Sequence, residues 1–155
     1  MSIAVKKVGD SSFEDFRQGT FGNGGQNLYV SRNGVLQRIH RFDVNRNGFS
    51  DIFYANGQEI DECPHLSLVK DPLGTPEFGE LPALGAFDCC MTDLNNDGYD
   101  ELIVANQSNG AKADVSAYLY WGGADSYSEN RKTELYAPDS LGVAAGDFNG
   151  DGNIE

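Results

Sequence analysis

A nine-residue pattern recurs three times in this chain, and its spacing limits the fold more than any other feature. The segments HRFDVNRNGFSDIFYAN (His40 to Asn56), CMTDLNNDGYDELIVAN (Cys90 to Asn106) and AAGDFNGDGNIE (Ala144 to Glu155) each contain D-x-N-x-[ND]-G-x-x-[DE]. The first Asp falls at 43, 93 and 147, so the spacings are 50 and 54. The register extends upstream. In GELPALGAFDCCMTD and TELYAPDSLGVAAGD the Leu of a Glu-Leu pair precedes that Asp by 12 residues, at Leu81 and Leu135. Near-constant spacing marks a tandem repeat, in which each unit buries its apolar face against the next.

Each unit reads as short strands. GVLQRIHRFDV enters the first acidic loop, and DIFYAN and ELIVAN leave the first two loops. They are rich in β-branched and aromatic residues and end at Asn. HLSLVKD and VSAYLYWGG supply a third run, and the stretches around GEL and TEL leave room for a fourth. No segment holds a 3.6-residue apolar period. The expected fold is all-β: propeller blades of four antiparallel strands, a partial propeller of about two and a half to three blades. The whole chain, 1–155, is expected to be one such region, with units near 24–76, 77–130 and a truncated 131–155.

Asp, Asn and Gly suit turns because they tolerate left-handed backbone and hydrogen-bond it. The spacing asks for more. Oxygens at loop positions 1, 3 and 5 converge when Gly at position 6 permits a tight turn, with a carbonyl at 7 and a carboxylate at 9 to close the shell. The candidate ligands are Asp43, Asn45, Asn47, the Phe49 carbonyl and Asp51 in loop one. Loop two offers Asp93, Asn95, Asp97, the Tyr99 carbonyl and Glu101. Loop three offers Asp147, Asn149, Asp151, the Asn153 carbonyl and Glu155. All-oxygen donors suit a hard cation, and many protein oxygens suit Ca²⁺ better than Mg²⁺, which keeps its waters. Up to three Ca²⁺ ions are expected, one per loop. Side-chain charge is -2 in loop one and -3 in the others, so loop one is expected to bind most weakly. An EF-hand is excluded. It needs a Glu at position 12, where this chain has Tyr54 and Val104 inside apolar strands.

This repeated loop between two strands resembles the FG-GAP/VCBS repeat, from about Gly24 to Glu155. That repeat builds the β-propeller of integrin α-subunits and of many bacterial surface and secreted proteins. The resemblance implies that each loop joins the first two strands of a blade and holds calcium. Position 3 departs from the family's usual Asp, being Asn45, Asn95 and Asn149. The elements behind the FG-GAP name are only partly present, in FGELPALGAF (Phe78 to Phe87) and YAPDSLGVAAG. That points to the VCBS-like bacterial branch. The family closes rings of roughly six to eight blades. The expectation is therefore a piece of a longer protein, or an arc completed by further blades or other chains.

Charge narrows the partners. With 24 acids against 11 bases the net charge is -13, which disfavours nucleic acid and docking on anionic lipid. No apolar run reaches about 18 residues, so no direct membrane insertion by a helix is expected. The opening MSIAVKKVGDSSFEDF has no apolar core of a signal peptide. Cys63, Cys89 and Cys90 lack metal-ligand spacing and are expected to be buried thiols, with a bridge from Cys63 to Cys89 or Cys90 as the alternative.

Other candidate chemistry is weaker. FGNGGQN (Phe21 to Asn27) lacks the Lys of a phosphate loop and reads as a turn. His40 and His65 read as packed or surface histidines. Tyr118 and Tyr120 share a strand face, where core packing is favoured over sugar stacking with Trp121. Asn106-Gln107-Ser108 is a glycosylation sequon. The expected function is a non-enzymatic module with structural calcium, serving adhesion or recognition of a protein or glycan in an extracellular, cell-surface or periplasmic setting. The alternative is the propeller portion of a secreted polysaccharide-degrading lyase or hydrolase. A third reading is an assembly protein of a surface layer or filament.

Overall fold

The computed structural model describes residues 6–7, 28–30, 36–56, 65–108, 111–112 and 114–155. The FGNGGQN turn and Cys63 lie outside them. Among these described residues ten strands follow in order: β1 Lys6–Lys7, β2 Leu28–Val30, β3 Leu36–Phe42, β4 Asp51–Asn56, β5 His65–Lys70, β6 Glu77–Pro82, β7 Ala86–Thr92, β8 Glu101–Asn106, β9 Ala117–Tyr120 and β10 Lys132–Leu135. The one helical element among the described residues is a 3₁₀ turn, Glu129–Arg131.

The strands form two sheets. In the first, β1 runs parallel to β2, and β2 to β6 continue as an antiparallel meander. In the second, β7 to β10 are antiparallel in sequence order. The stretches β3–β6 and β7–β10 are therefore two successive blades of four antiparallel strands, and the fold is all-β as expected. The GEL and TEL stretches supply the fourth strands, β6 and β10. Each sheet thus closes with a strand that precedes the next acidic loop in sequence, so sheet and sequence repeat are offset by one strand.

Period-2 alternation assigns the faces. In β5, Leu66 and Leu68 are buried while His65 and Ser67 are half-buried. Phe53, Ala55, Leu66, Leu68 and Leu81 of the first blade pack with Ala86, Cys89, Leu102, Val104, Tyr118 and Tyr120 of the second in one cluster. Each large side chain buried here contributes roughly 1.5–3 kcal/mol. Strand β8 is buried along its whole length, because Ile103 and Ala105 are covered on the opposite face as well. A strand covered on both faces loses the polar alternation, hence the unbroken Leu-Ile-Val-Ala.

The two tyrosines pack in this core, as expected. Their rings meet edge to face at 6.3 Å. The Tyr120 hydroxyl donates to the Pro82 carbonyl of the first blade, and the Lys132 ammonium lies 3.8 Å over the Tyr118 ring. Cys89 is buried and Cys90 half-buried, and both are free thiols. Burial pushes both above the ordinary thiol range, which makes them poor nucleophiles at neutral pH.

Candidate metal centre

Loops one and two each join two adjacent antiparallel strands at the same register. Phe42 pairs with Asp51 across loop one, and Thr92 with Glu101 across loop two. In loop three Gly146 and Glu155 exchange both backbone hydrogen bonds, at 3.0 and 3.2 Å. In loops one and two the position 9 acid is thus the first residue of the strand leaving the loop. The turns share their strain points too. Position 4 is left-handed in all three (Arg46 φ 54°, Asn96 57°, Gly150 77°), and so is position 6 (Gly48 86°, Gly98 92°, Gly152 91°). At φ near 90° a Cβ is disfavoured, which is why position 6 is always Gly.

One hydrogen-bond scheme recurs in the three loops. The position 1 carboxylate accepts the N–H of position 5 on one oxygen and of position 6 on the other: 3.0 and 2.8 Å at Asp43, 3.2 and 2.9 Å at Asp93, 3.0 and 2.8 Å at Asp147. The position 3 carboxamide oxygen accepts the position 5 N–H, at 3.2, 2.9 and 2.8 Å for Asn45, Asn95 and Asn149. The position 5 oxygen of Asn47, Asp97 and Asp151 accepts the position 7 N–H, that of Phe49, Tyr99 and Asn153, at 2.8 Å each time. The oxygens of positions 1, 3 and 5 are thereby turned onto the same short run of backbone. In loop three the Gly152 N–H foremost holds the Asp147 carboxyl below its usual range. The Asn153 N–H does the same for Asp151. Both are ionised at neutral pH.

Position 9 is placed differently. One Asp51 oxygen accepts from Val44 N–H (2.9 Å) and the other from Asp71 N–H (2.9 Å). Glu101 likewise accepts from Leu94 N–H (2.7 Å) and Gly122 N–H (3.4 Å). Both side chains are 0% exposed. Each is a clamp, pinning position 2 of its loop and the residue that ends the following hairpin strand or lies just beyond it. Glu155 accepts from Phe148 N–H at 3.2 Å and from the Asn149 amide, but it is exposed.

The donor set fits a hard cation. It contains no thiolate or imidazole, and its carboxylate and carboxamide oxygens keep lone pairs beyond those taken by the backbone. Among the described residues no three His, Cys, Asp or Glu side chains gather into a metal-holding group. Carboxamides and carbonyls must therefore make up much of any shell, which suits a site of modest affinity.

The bridging role of two buried asparagines is not visible in the sequence. Asn56 donates its side-chain amide to the His65 carbonyl (3.1 Å) and the Ser67 hydroxyl (3.2 Å). Asn106, 50 residues on, accepts from Leu84 N–H (3.0 Å) and donates to the Ser116 carbonyl (2.8 Å). Their shared register was the available signal. Asn106 is 0% exposed, so its sequon is hidden in the folded protein.

A second polar cluster joins the repeats. The Asp88 carboxylate lies 3.2 Å from His40 Nε2 and 3.6 Å from Arg38 Nη1 of the first blade, and accepts the Val143 N–H of the third repeat at 3.2 Å. Arg38 also lies 4.4 Å over the Phe87 ring, and His40 stacks on Phe42. Burial lowers the His40 imidazole below its ordinary value; Asp88 opposes the shift and Arg38 adds to it. The unfolded chain therefore binds this proton more readily, and stability is lost as pH falls below about 6.5. In EDTA the urea midpoint is expected to decline on acidification through that window, and to decline less for His40→Gln. Equal slopes for the two proteins would exclude His40 as the source. His65 lies 3.5 Å from Glu80 at the edge of the first blade.

Four-stranded antiparallel blades in tandem, with one loop scheme repeated between their first strands, define a class of blade-built all-β repeat proteins. Residues 93–155 match the family model described as an FG-GAP-like repeat. The match takes in loops two and three. Loop one lies outside it and carries the same hydrogen-bond scheme. No curated protein and no solved structure matches the chain.

Proposed function

We propose that the chain is a calcium-binding β-propeller module of the VCBS-like kind, with up to three structural Ca²⁺ ions held by the oxygens at positions 1, 3, 5 and 7 of its three loops, while the position 9 acids Asp51 and Glu101 clamp their turns. The observation that carries this reading is the shared scheme turning position 1, 3 and 5 oxygens onto one turn, in three loops of different sequence. Bound calcium would neutralise paired carboxylates and restrain the loop between two strands. Sites with this few carboxylates work at roughly 10⁻⁴–10⁻³ M calcium. That suits an extracellular, cell-surface or periplasmic setting. Leu135, Tyr136, Leu141 and Phe148 are exposed by 40, 84, 51 and 73%. Four exposed large apolar side chains within fourteen residues favour burial by further blades or by a protein or glycan ligand, and hence a role in adhesion or recognition.

Titration calorimetry of the EDTA-stripped protein tests the proposal. Calcium uptake is expected, with magnesium a weak competitor; no calcium heat would overturn it. Loop one is expected to be the weakest site. Asp43→Ala should then remove the lowest-affinity phase, while Asp93→Ala or Asp147→Ala removes a tighter one.

A further inference from the structure

We propose that loops one and two take up calcium as a coupled pair, and that Arg46 and Asp100 carry the coupling. The proposal rests on the calcium reading above. Neither residue occupies a ligand position. Arg46, at position 4 of loop one, donates from Nη2 to Asp100 Oδ1, at position 8 of loop two, at 3.0 Å. These are the tips of two different blades, 54 residues apart.

Both ends of this link are built into their loops. Arg46 is the left-handed residue of its turn, and its N–H closes that turn on the Asp43 carbonyl at 3.4 Å. Asp100 precedes the buried clamp Glu101, and its own carbonyl accepts the Tyr127 hydroxyl at 3.0 Å. The Tyr127 ring meets Phe53 edge-on at 6.3 Å, and Phe53 meets Phe42 at 5.4 Å. Phe42 pairs with Asp51 at the root of loop one. The loops are thus joined twice, by an ion pair above and an aromatic path beneath, in one closed circuit.

The third repeat is a built-in control. Positions equivalent to Arg46 are Asn96 and Gly150, and those equivalent to Asp100 are Ser50 and Ile154. No such ion pair can form between loops two and three. The coupling is positive. An ion in loop two fixes Asp100, which restrains Arg46 and with it the turn that presents Asp43, Asn45 and Asn47. Loop one then loses less conformational freedom when it binds. Because the pair is partly exposed, the effect is small.

Calcium titration of the whole chain tests this by a double-mutant cycle. Asp93→Ala, which disables loop two, is expected to weaken loop one roughly three- to fivefold in the native background and not in an Asp100→Ser background. Reciprocity supplies a second arm: Asp43→Ala should weaken loop two by the same factor. Asp147→Ala should leave loop one unchanged. A loop-one affinity indifferent to Asp93→Ala, or one that falls equally with Asp100→Ser, overturns the coupling alone. Absence of calcium uptake in the native protein overturns the calcium reading and this proposal with it.

Discussion

Excess EDTA is expected to lower the melting midpoint of this protein by about 10 °C. An ion that binds only the folded state adds RT ln(1 + [L]/Kd), about 1.4 kcal/mol per site when free calcium is ten times Kd. Three such sites add about 4 kcal/mol, a large part of the roughly 5–15 kcal/mol that holds a typical domain. For a chain of this size each kcal/mol moves the midpoint by about 2–4 °C. The loops explain why the ion matters. Asp147 and Asp151 are held ionised by backbone N–H groups, so their mutual repulsion persists at neutral pH until a cation offsets it. Scanning calorimetry with calcium, with EDTA, and with EDTA after calcium is restored would check the effect and its reversal. A midpoint indifferent to EDTA would count decisively against structural calcium.

Much of the fold could be read from the sequence because the repeat places equivalent residues in register. DIFYAN and ELIVAN became β4 and β8 at the boundaries their patterns suggested. The convergence of positions 1, 3 and 5 also follows from local spacing, since every hydrogen bond that sets it spans two to five residues. What stayed hidden was non-local. The spacing puts a carboxylate at position 9 but does not reveal that Asp71 N–H, 20 residues on, occupies one of its oxygens. The same holds for Asp88, whose partners come from strands 48 and 50 residues away and from the next repeat. Such groups meet only once strands pair or blades stack, and neither contact is written in local spacing. The Arg46–Asp100 link is less visible still, because it breaks the repeat: each partner is charged in only one of the three units.

Glu101 separates the loop's structural role from any cation role. Its two oxygens are buried and engaged by Leu94 and Gly122 N–H groups. Glu101→Ala would strand two part-buried donors, each costing about 1–3 kcal/mol, and would leave a cavity in a fully buried strand. The Leu94 bond at 2.7 Å is charge-assisted and is the stronger of the two. A loss of about 3–5 kcal/mol is expected, seen as a lower urea midpoint. The loss should be nearly as large in EDTA as in calcium, because the clamp acts through backbone amides. Glu101→Gln should lose less, since its carbonyl oxygen can keep the Leu94 bond. Glu155 is the internal comparison. It holds the same loop position and also accepts from position 2, at 3.2 Å, but is exposed. Glu155→Ala in EDTA should therefore cost under about 1 kcal/mol. If Glu101→Ala and Glu155→Ala cost the same in EDTA, burial is not what makes position 9 a clamp. If instead Glu101→Ala is harmless in EDTA and severe in calcium, its carboxylate acts through the ion and not through Leu94 and Gly122.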